Sequence, residues 1–254
     1  MPDPRHPPCG WFRREGRRST NSSRRWASRQ DMIGQLRVAL SRLGLRPGEY
    51  SGDYRHLQKL YESPDPWRLH SPKEKRRFEL TCKIIQRLAP SCPDLLELGC
   101  GEGFQTEHFA RVARRVTGID LSAAALARAR HRVPGAQFYE GRAEDVRAIV
   151  GNQRFDLVTV CEMLYYAPDA ARILENLYEL APRILVTNHI KQSRRLVSLF
   201  EGSGWRRLGD IQVGRAIWRC DLWENAEIQK STGRDLSCEA SAPPCRPSLL
   251  SCCC

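Results

Sequence analysis

The run Leu95-Leu96-Glu97-Leu98-Gly99-Cys100-Gly101-Glu102-Gly103-Phe104 sets an acid and three alternating glycines between a strand-like stretch and a helix-like one. Glycines so spaced let the backbone pass close under a ligand, and the amides of the following helix point at it. A loop for a dinucleotide pyrophosphate reads G-x-G-x-x-G and would need glycine at 104, where Phe104 stands. Glu97 would repel a pyrophosphate but suits a cationic amino-acid group. Asp120 lies 21 residues after Gly99, closing Val116-Thr117-Gly118-Ile119-Asp120. A carboxylate at that strand end accepts both hydroxyls of a ribose. Together these residues imply a nucleoside ligand with a cationic end and no phosphates, and they disfavour a nicotinamide dehydrogenase.

The elements that must hold these residues follow from periodicity. Short apolar runs at 94–98, 116–120, 137–140, 155–160 and 184–187 alternate with helical stretches at 105–113, 122–131, 144–150 and 169–180. That order implies a parallel sheet covered by helices on both faces. A further helix is expected at 193–200, then a closing antiparallel hairpin of 205–211 and 216–222. Upstream, Ser71-Pro72-Lys73-Glu74 reads as a capping box with proline at the first helical position, ahead of an apolar face of Phe78, Cys82, Ile85 and Leu88. Shorter helical patterns carry Leu57, Leu60 and Tyr61, and before them Ile33, Leu36, Leu40 and Leu43. The expected organisation is a disordered basic tail at 1–30, a helical cap at 31–90, the ligand-binding domain at 91–224 and a disordered Cys/Pro/Ser tail at 225–254.

Composition narrows the setting. The net charge is +12, but residues 1–30 hold eight arginines against Asp3 and Glu15, so half the excess sits in that stretch. The rest forms no basic stripe, and the charge reads mainly as a solvated tail. Eleven cysteines occur without the paired spacing of a zinc site, so no metal is expected. Cys82, Cys100, Cys161 and Cys220 fall singly in apolar or motif segments, where a thiol acts as a small hydrophobe. No apolar stretch is long enough to span a membrane and no signal-peptide core follows the N-terminus, so a reducing cytoplasm is expected, with a transit peptide at 1–30 as the alternative.

Segment 94–187 resembles the class I S-adenosylmethionine-dependent methyltransferases, whose loop is an acid followed by three spaced glycines. The resemblance implies an α/β fold, Rossmann-like and doubly wound, with a mostly parallel seven-stranded sheet, a C-terminal antiparallel hairpin and N-terminal capping helices. It implies S-adenosyl-L-methionine as cofactor, its methionine portion held by Glu97, Gly99, Cys100, Gly101, Gly103 and Phe104. Asp120 and Leu121 would meet the ribose, Ala143 and Glu144 the adenine, and Cys161 the methyl end. Arg142 stands where many members carry aspartate, which moves the adenine contact to Glu144 or to the Ala143 amide. A narrower likeness over about 60–225, in Asp65-Pro66-Trp67-Arg68-Leu69 and Cys161-Glu162-Met163-Leu164-Tyr165-Tyr166, is to the nodulation protein S family. Those enzymes N-methylate an amino sugar. The likeness implies that Trp67 folds over the cofactor as a lid, against the plainer reading that it anchors the cap on the sheet.

Methyl transfer is an in-line displacement at a sulfonium carbon, so alignment supplies much of its rate. An amine acceptor need only be neutral, whereas a hydroxyl needs a base or a metal. Glu162 and His189 are the candidate bases, and Tyr165 and Tyr166 the candidate pocket wall. Against these roles, Glu162 can simply hydrogen-bond an ammonium, His189 can be a surface histidine, and the tyrosines can be core aromatics. The expected activity is N-methylation of an amino sugar or other small amine. O-methylation of a small molecule stands as the alternative. An RNA methyltransferase using the basic tail is disfavoured because Cys161–Tyr166 lacks the N/D-P-P-Y pattern, and a non-catalytic cofactor-binding subunit because nothing in the loop is degraded. Acceptor identity and oligomeric state are not legible.

Overall fold

A computed structural model describes residues 54–231. The basic stretch 1–30, the helical pattern at 31–43 and the segment 232–254 lie outside the described residues. Helix α1 (Tyr54–Leu60) and helix α2 (Pro72–Leu88) precede the sheet. Then come β1 (Cys92–Leu98), α3 (Thr106–Phe109), β2 (Ala113–Asp120), α4 (Ala123–Arg132) and β3 (Gln137–Glu140). A 3₁₀ turn (Ala143–Asp145) leads into α5 (Val146–Val150), followed by β4 (Leu157–Cys161), α6 (Ala170–Leu177), β5 (Arg183–His189) and α7 (Ile190–Ser193). The hairpin β6 (Trp205–Val213) and β7 (Ala216–Glu224) and a last short helix, α8 (Ala226–Ser231), complete it.

The seven strands run in the order β3-β2-β1-β4-β5-β7-β6. The first five pair in parallel, while β7 inserts antiparallel between β5 and β6. Every residue of β4, Leu-Val-Thr-Val-Cys, is buried, as a strand covered on both faces must be. On one face α2 presses Cys82 and Ile85 against Leu95, Leu157 and Leu185; on the other, Ile173, Leu174 and Leu177 of α6 meet Leu96, Val160 and Val186. Strand order reverses between β1 and β4, so the crevice at their C-terminal ends is where such sheets bind ligands.

The doubly wound sheet and its hairpin agree with the sequence pattern, but several local details differ. Pro72 opens α2 with Ser71 before it, yet Ser71 makes no side-chain cap. Glu74, needed for a capping box, instead turns inward to Arg77. The expected helix at 105–113 shortens to one turn because β2 begins at Ala113. The one expected at 193–200 breaks into α7 and a 3₁₀ turn (Val197–Phe200), which brings Phe200 onto Trp205 with ring centroids 4.9 Å apart. Regular structure continues past Glu224, where Asn225 Oδ1 accepts the Ile228 amide at 3.0 Å and caps α8.

Candidate cofactor and acceptor site

The glycine loop leaves β1 at the switch point and takes left-handed backbone at Gly99 (φ +71°), Gly101 (φ +53°) and Gly103 (φ +77°). At Gly99 a Cβ would stand 2.7 Å from the Met163 Cβ, and at Gly101 one would stand 2.8 Å from the Tyr61 hydroxyl. Neither backbone nor space tolerates a larger residue at these two positions. The Gly99 and Cys100 amides both donate to the Ile119 carbonyl, which ties the loop to β2. Cys100 is buried, and Phe104 lies beneath the Arg132 guanidinium at 3.6 Å from its ring centre. Phe104 is thereby engaged by α4.

Two buried carboxylates flank the loop. Asp120 accepts the Gly101 amide at 2.9 Å on Oδ2 and the Ser122 amide at 3.0 Å on Oδ1. The carboxylate keeps acceptor capacity beyond its backbone donors for a hydroxyl. Burial pushes its pKa up to about 6, with the backbone donors pulling it back. Glu97, 2% exposed, accepts the Thr106 hydroxyl at 2.5 Å. Burial pushes this carboxyl up to about 8, opposed by Thr106 and Arg77 and assisted by Asp120.

The segment after α1 crosses the loop. Trp67 Nε1 donates to the Tyr61 hydroxyl at 3.2 Å, and the Trp67 ring packs on Tyr166 at 5.5 Å. Glu102 fastens this segment from below: its carboxylate accepts the Asp65 amide at 2.9 and 3.0 Å and Arg128 Nε at 2.7 Å. Arg128 also donates to the Tyr61 carbonyl at 2.6 Å. Asp65 and Arg68 sit at positive φ, unusual for residues with side chains, and the Asp65 carboxylate holds the turn by accepting the Leu69 amide at 2.5 Å.

Across the crevice, the end of β4 presents Cys161 and Glu162. Burial pushes the Cys161 thiol up to about 11, so it is an apolar wall and no nucleophile. Glu162 takes φ +59° and accepts the Tyr165 hydroxyl at 3.2 Å and the His189 backbone amide. His189 therefore reaches Glu162 through its backbone. Its ring faces Trp218 edge-on at 5.9 Å, and Nδ1 accepts the Lys191 amide at 3.4 Å. The Tyr165 and Tyr166 rings meet at a 52° tilt with centroids 4.4 Å apart, extending the aromatic surface from Trp67 toward Glu162.

Residues 96–182 match a family model described as a methyltransferase domain. The fold is that of N-methyltransferase NodS from Bradyrhizobium japonicum, solved with S-adenosyl-L-homocysteine: TM-score 0.57, 19% identity, covering 68% of this chain and 98% of that one. Over residues 96–182 the chain is thus similar to methyltransferase domains. Among curated proteins it is 32% identical over 139 residues to nodulation protein S of Sinorhizobium fredii, covering 54% of this chain and 64% of that protein. It is 38% identical over 104 residues to a ubiquinone biosynthesis O-methyltransferase of Pseudomonas aeruginosa, covering 38% of this chain and 43% of the relative. The chain thus spans roughly half to just under two thirds of the nodulation protein S relatives. No helix among the described residues is long and apolar enough to cross a membrane.

The residues after β3 form the far end of the crevice. Ala143 is buried in the core, and the Leu121 carbonyl accepts Gln58 Nε2 at 3.2 Å. Tyr54 donates to Glu144 Oε1 at 2.5 Å, while Glu144 Oε2 is buried and lacks a partner. A cavity of about 800 Å³ opens there, lined by Tyr54, Arg142, Glu144, Asp169 and Arg172 among others. Arg142 lies over the Tyr54 ring at 5.5 Å and is exposed.

Several residues at the site escaped the sequence reading: Tyr54, Tyr61, Arg77, Glu102 and Gln105. Glu74 and Arg77 did leave a signal. They share the helical stripe of Phe78, Thr81, Cys82 and Ile85, all buried, and charges on an apolar stripe ask for partners.

Proposed function

We propose that this protein is an S-adenosylmethionine-dependent methyltransferase that N-methylates an amino sugar or another small amine. The residues fit that cofactor on a structural test. Asp120 keeps lone pairs for a diol, the glycine loop leaves room for a close approach, and Glu97 is a buried carboxyl awaiting a cation. Glu144 Oε2, buried and unpartnered, offers an acceptor for the adenine amino group, in the place that Arg142 cannot fill. Gly99 to Gly103 would cradle the methionine portion, with Cys100 and Phe104 shaping the loop, Leu121 beside the ribose, Ala143 under the adenine and Cys161 beside the methyl. When bound, the cofactor supplies an electrophilic methyl group on a sulfonium.

The observation that carries the acceptor reading is Glu162. Its carboxylate is fixed by Tyr165 and the His189 amide at the end of β4, beside the aromatic surface of Trp67, Tyr165 and Tyr166. Aromatic rings suit the apolar face of a sugar, and a fixed carboxylate orients an amine and takes its proton. Trp67 and Tyr61 lie over the loop and exclude water from the reaction. The buried, unpaired cysteines Cys82, Cys92, Cys100, Cys161 and Cys220 fit a reducing compartment, and we assign the protein to the cytoplasm.

The similarity to a ubiquinone biosynthesis O-methyltransferase favours a second reading, a hydroxyl acceptor deprotonated by Glu162. Calorimetric titration with S-adenosylmethionine and with NAD tests the cofactor; failure to bind the former sinks the proposal. Transfer of labelled methyl to glucosamine oligomers, to phenols and to RNA then separates the acceptors. Label in the amino sugar is expected. Label only in phenols selects the second reading, and label only in RNA overturns both.

A further inference from the structure

The end of β5 carries a polar side chain that the fold itself does not use. Asn188 is 1% exposed, and neither its Oδ1 nor its Nδ2 has a hydrogen-bond partner. A primary amide offers two N–H donors and an oxygen with two lone pairs, and burying them unmet is costly. Its neighbour in the ladder, Arg219 on β7, directs Nε and Nη2 to Asp221 instead. Ile184 and Val186, which precede it on the same face of β5, are ordinary apolar core. Nothing in the packing of the strand calls for an amide at its end.

The place of Asn188 is the second observation. The register that pairs Cys161 with Thr187 continues one step further, with the Glu162 amide donating to the Thr187 carbonyl at 2.8 Å. Asn188 thus stands beside Glu162, and the backbone amide that follows it, that of His189, binds the Glu162 carboxylate. Strand alternation turns the Asn188 side chain to the face of Val186, where Met163 and Tyr165 also pack. Met163 fills the space against Gly99, and the Tyr165 hydroxyl donates to Glu162. The unmet amide therefore lies among the residues that bound the crevice on its β4 side.

We propose that Asn188 receives the substrate amine together with Glu162 and confines transfer to primary amines. The inference rests on the N-methylation reading and deepens it. A neutral primary amine has two N–H bonds and one lone pair. With Glu162 accepting one N–H and Asn188 Oδ1 the other, the lone pair is held in the one direction left, ready for in-line attack. The nitrogen forms its bond to the methyl carbon as the C–S bond breaks and leaves its electron pair on sulfur. The surplus proton of the resulting ammonium passes to Glu162. The product keeps a single N–H, so a second round would leave one acceptor unmet and press a methyl group against a polar atom. Nδ2 donates to the oxygen that an amino sugar carries on the neighbouring carbon, an oxygen that a second carboxylate at this position would repel.

The test uses the full chain, S-adenosylmethionine, glucosamine oligomers and the same oligomers already bearing one N-methyl group. The unmodified protein should act on the primary amine with a kcat/KM at least about tenfold above that for the N-methyl amine, and mass spectrometry should find one added methyl per nitrogen. Asn188→Leu should lose about tenfold on the primary amine and little on the N-methyl amine, so that dimethylated product appears, while S-adenosylmethionine affinity stays unaltered. The same variant should raise the melting temperature of the empty protein by about 2–4 °C, because an amide that serves only a substrate destabilises the fold when none is bound. Equal rates on the two amines in the unmodified protein, equal losses on both in Asn188→Leu, or a lower melting temperature in that variant overturns the assignment. Absence of label from both amines overturns the amine reading itself, and the assignment with it.

Discussion

The α2 end of the crevice and its β3 end carry similar numbers of charges but keep them in different media. Glu74, Arg77 and Glu97 are at most 3% exposed; Arg77 donates to Glu74, Glu97 accepts the Thr106 hydroxyl, and the Phe78 and Trp218 rings lie 4.6 and 5.6 Å from the Arg77 guanidinium. At the other end Arg142, Asp145, Asp169 and Arg172 line an open cavity and are exposed. Charges in a dry site act strongly and over short range, whereas water and salt screen the exposed set. The dry end is therefore suited to discriminate ligands by charge. The wet end is suited to recognition by shape and hydrogen bonds and should tolerate change.

The largest effect is expected at the dry carboxylate between the two ends. Asp120→Ala should weaken S-adenosylmethionine binding by about 2–4 kcal/mol in calorimetric titration, since it removes a charge-assisted pair of bonds. Unchanged affinity would place the ribose elsewhere. Next is the pH dependence of Glu97. With its folded pKa raised from 4.5 to about 8, the empty folded protein holds a proton that the unfolded chain has lost across that window. Stability must then fall as pH rises from about 5 to 8, and Glu97→Gln should flatten the fall in a series of thermal melts. Asp120, raised to about 6, acts in the same direction over a lower window. Binding of a cation should also release up to about one proton near pH 7, seen as a buffer-dependent binding enthalpy. No proton release would show that Glu97 is already charged in the empty site.

The smallest effect belongs to the wet end. Tyr54→Phe, which frees Glu144 Oε1, should change affinity by about 1 kcal/mol at most, and Arg172→Ala by less than about 0.5 kcal/mol. A tenfold loss from Arg172→Ala would show that this end reads charge after all.

What the chain disclosed before folding follows the same divide between local and distant determinants. The βα alternation, the glycine loop, Asp120 and the closing hairpin were legible because short-range periodicity and spacing encode them. The capping box misled because Glu74 found a stronger partner in Arg77, one turn along a buried face. The helix expected at 193–200 misled because Leu196 and Phe200 keep helical spacing while the chain turns to seat Phe200 on Trp205. Tyr61 over Gly101 and Glu102 under Asp65 join segments about forty residues apart, and no local pattern announces such contacts.

The left-handed backbone at Glu162 has an evolutionary and engineering consequence. Holding a side-chain-bearing residue there costs about 1–3 kcal/mol, and glycine would recover much of it. Screening variants for heat resistance alone will thus enrich glycine at 162 and discard the carboxylate beside Tyr165. On the role proposed for Glu162, position 162 is where a directed-evolution campaign would trade durability against turnover, and libraries meant to preserve function should leave that codon fixed.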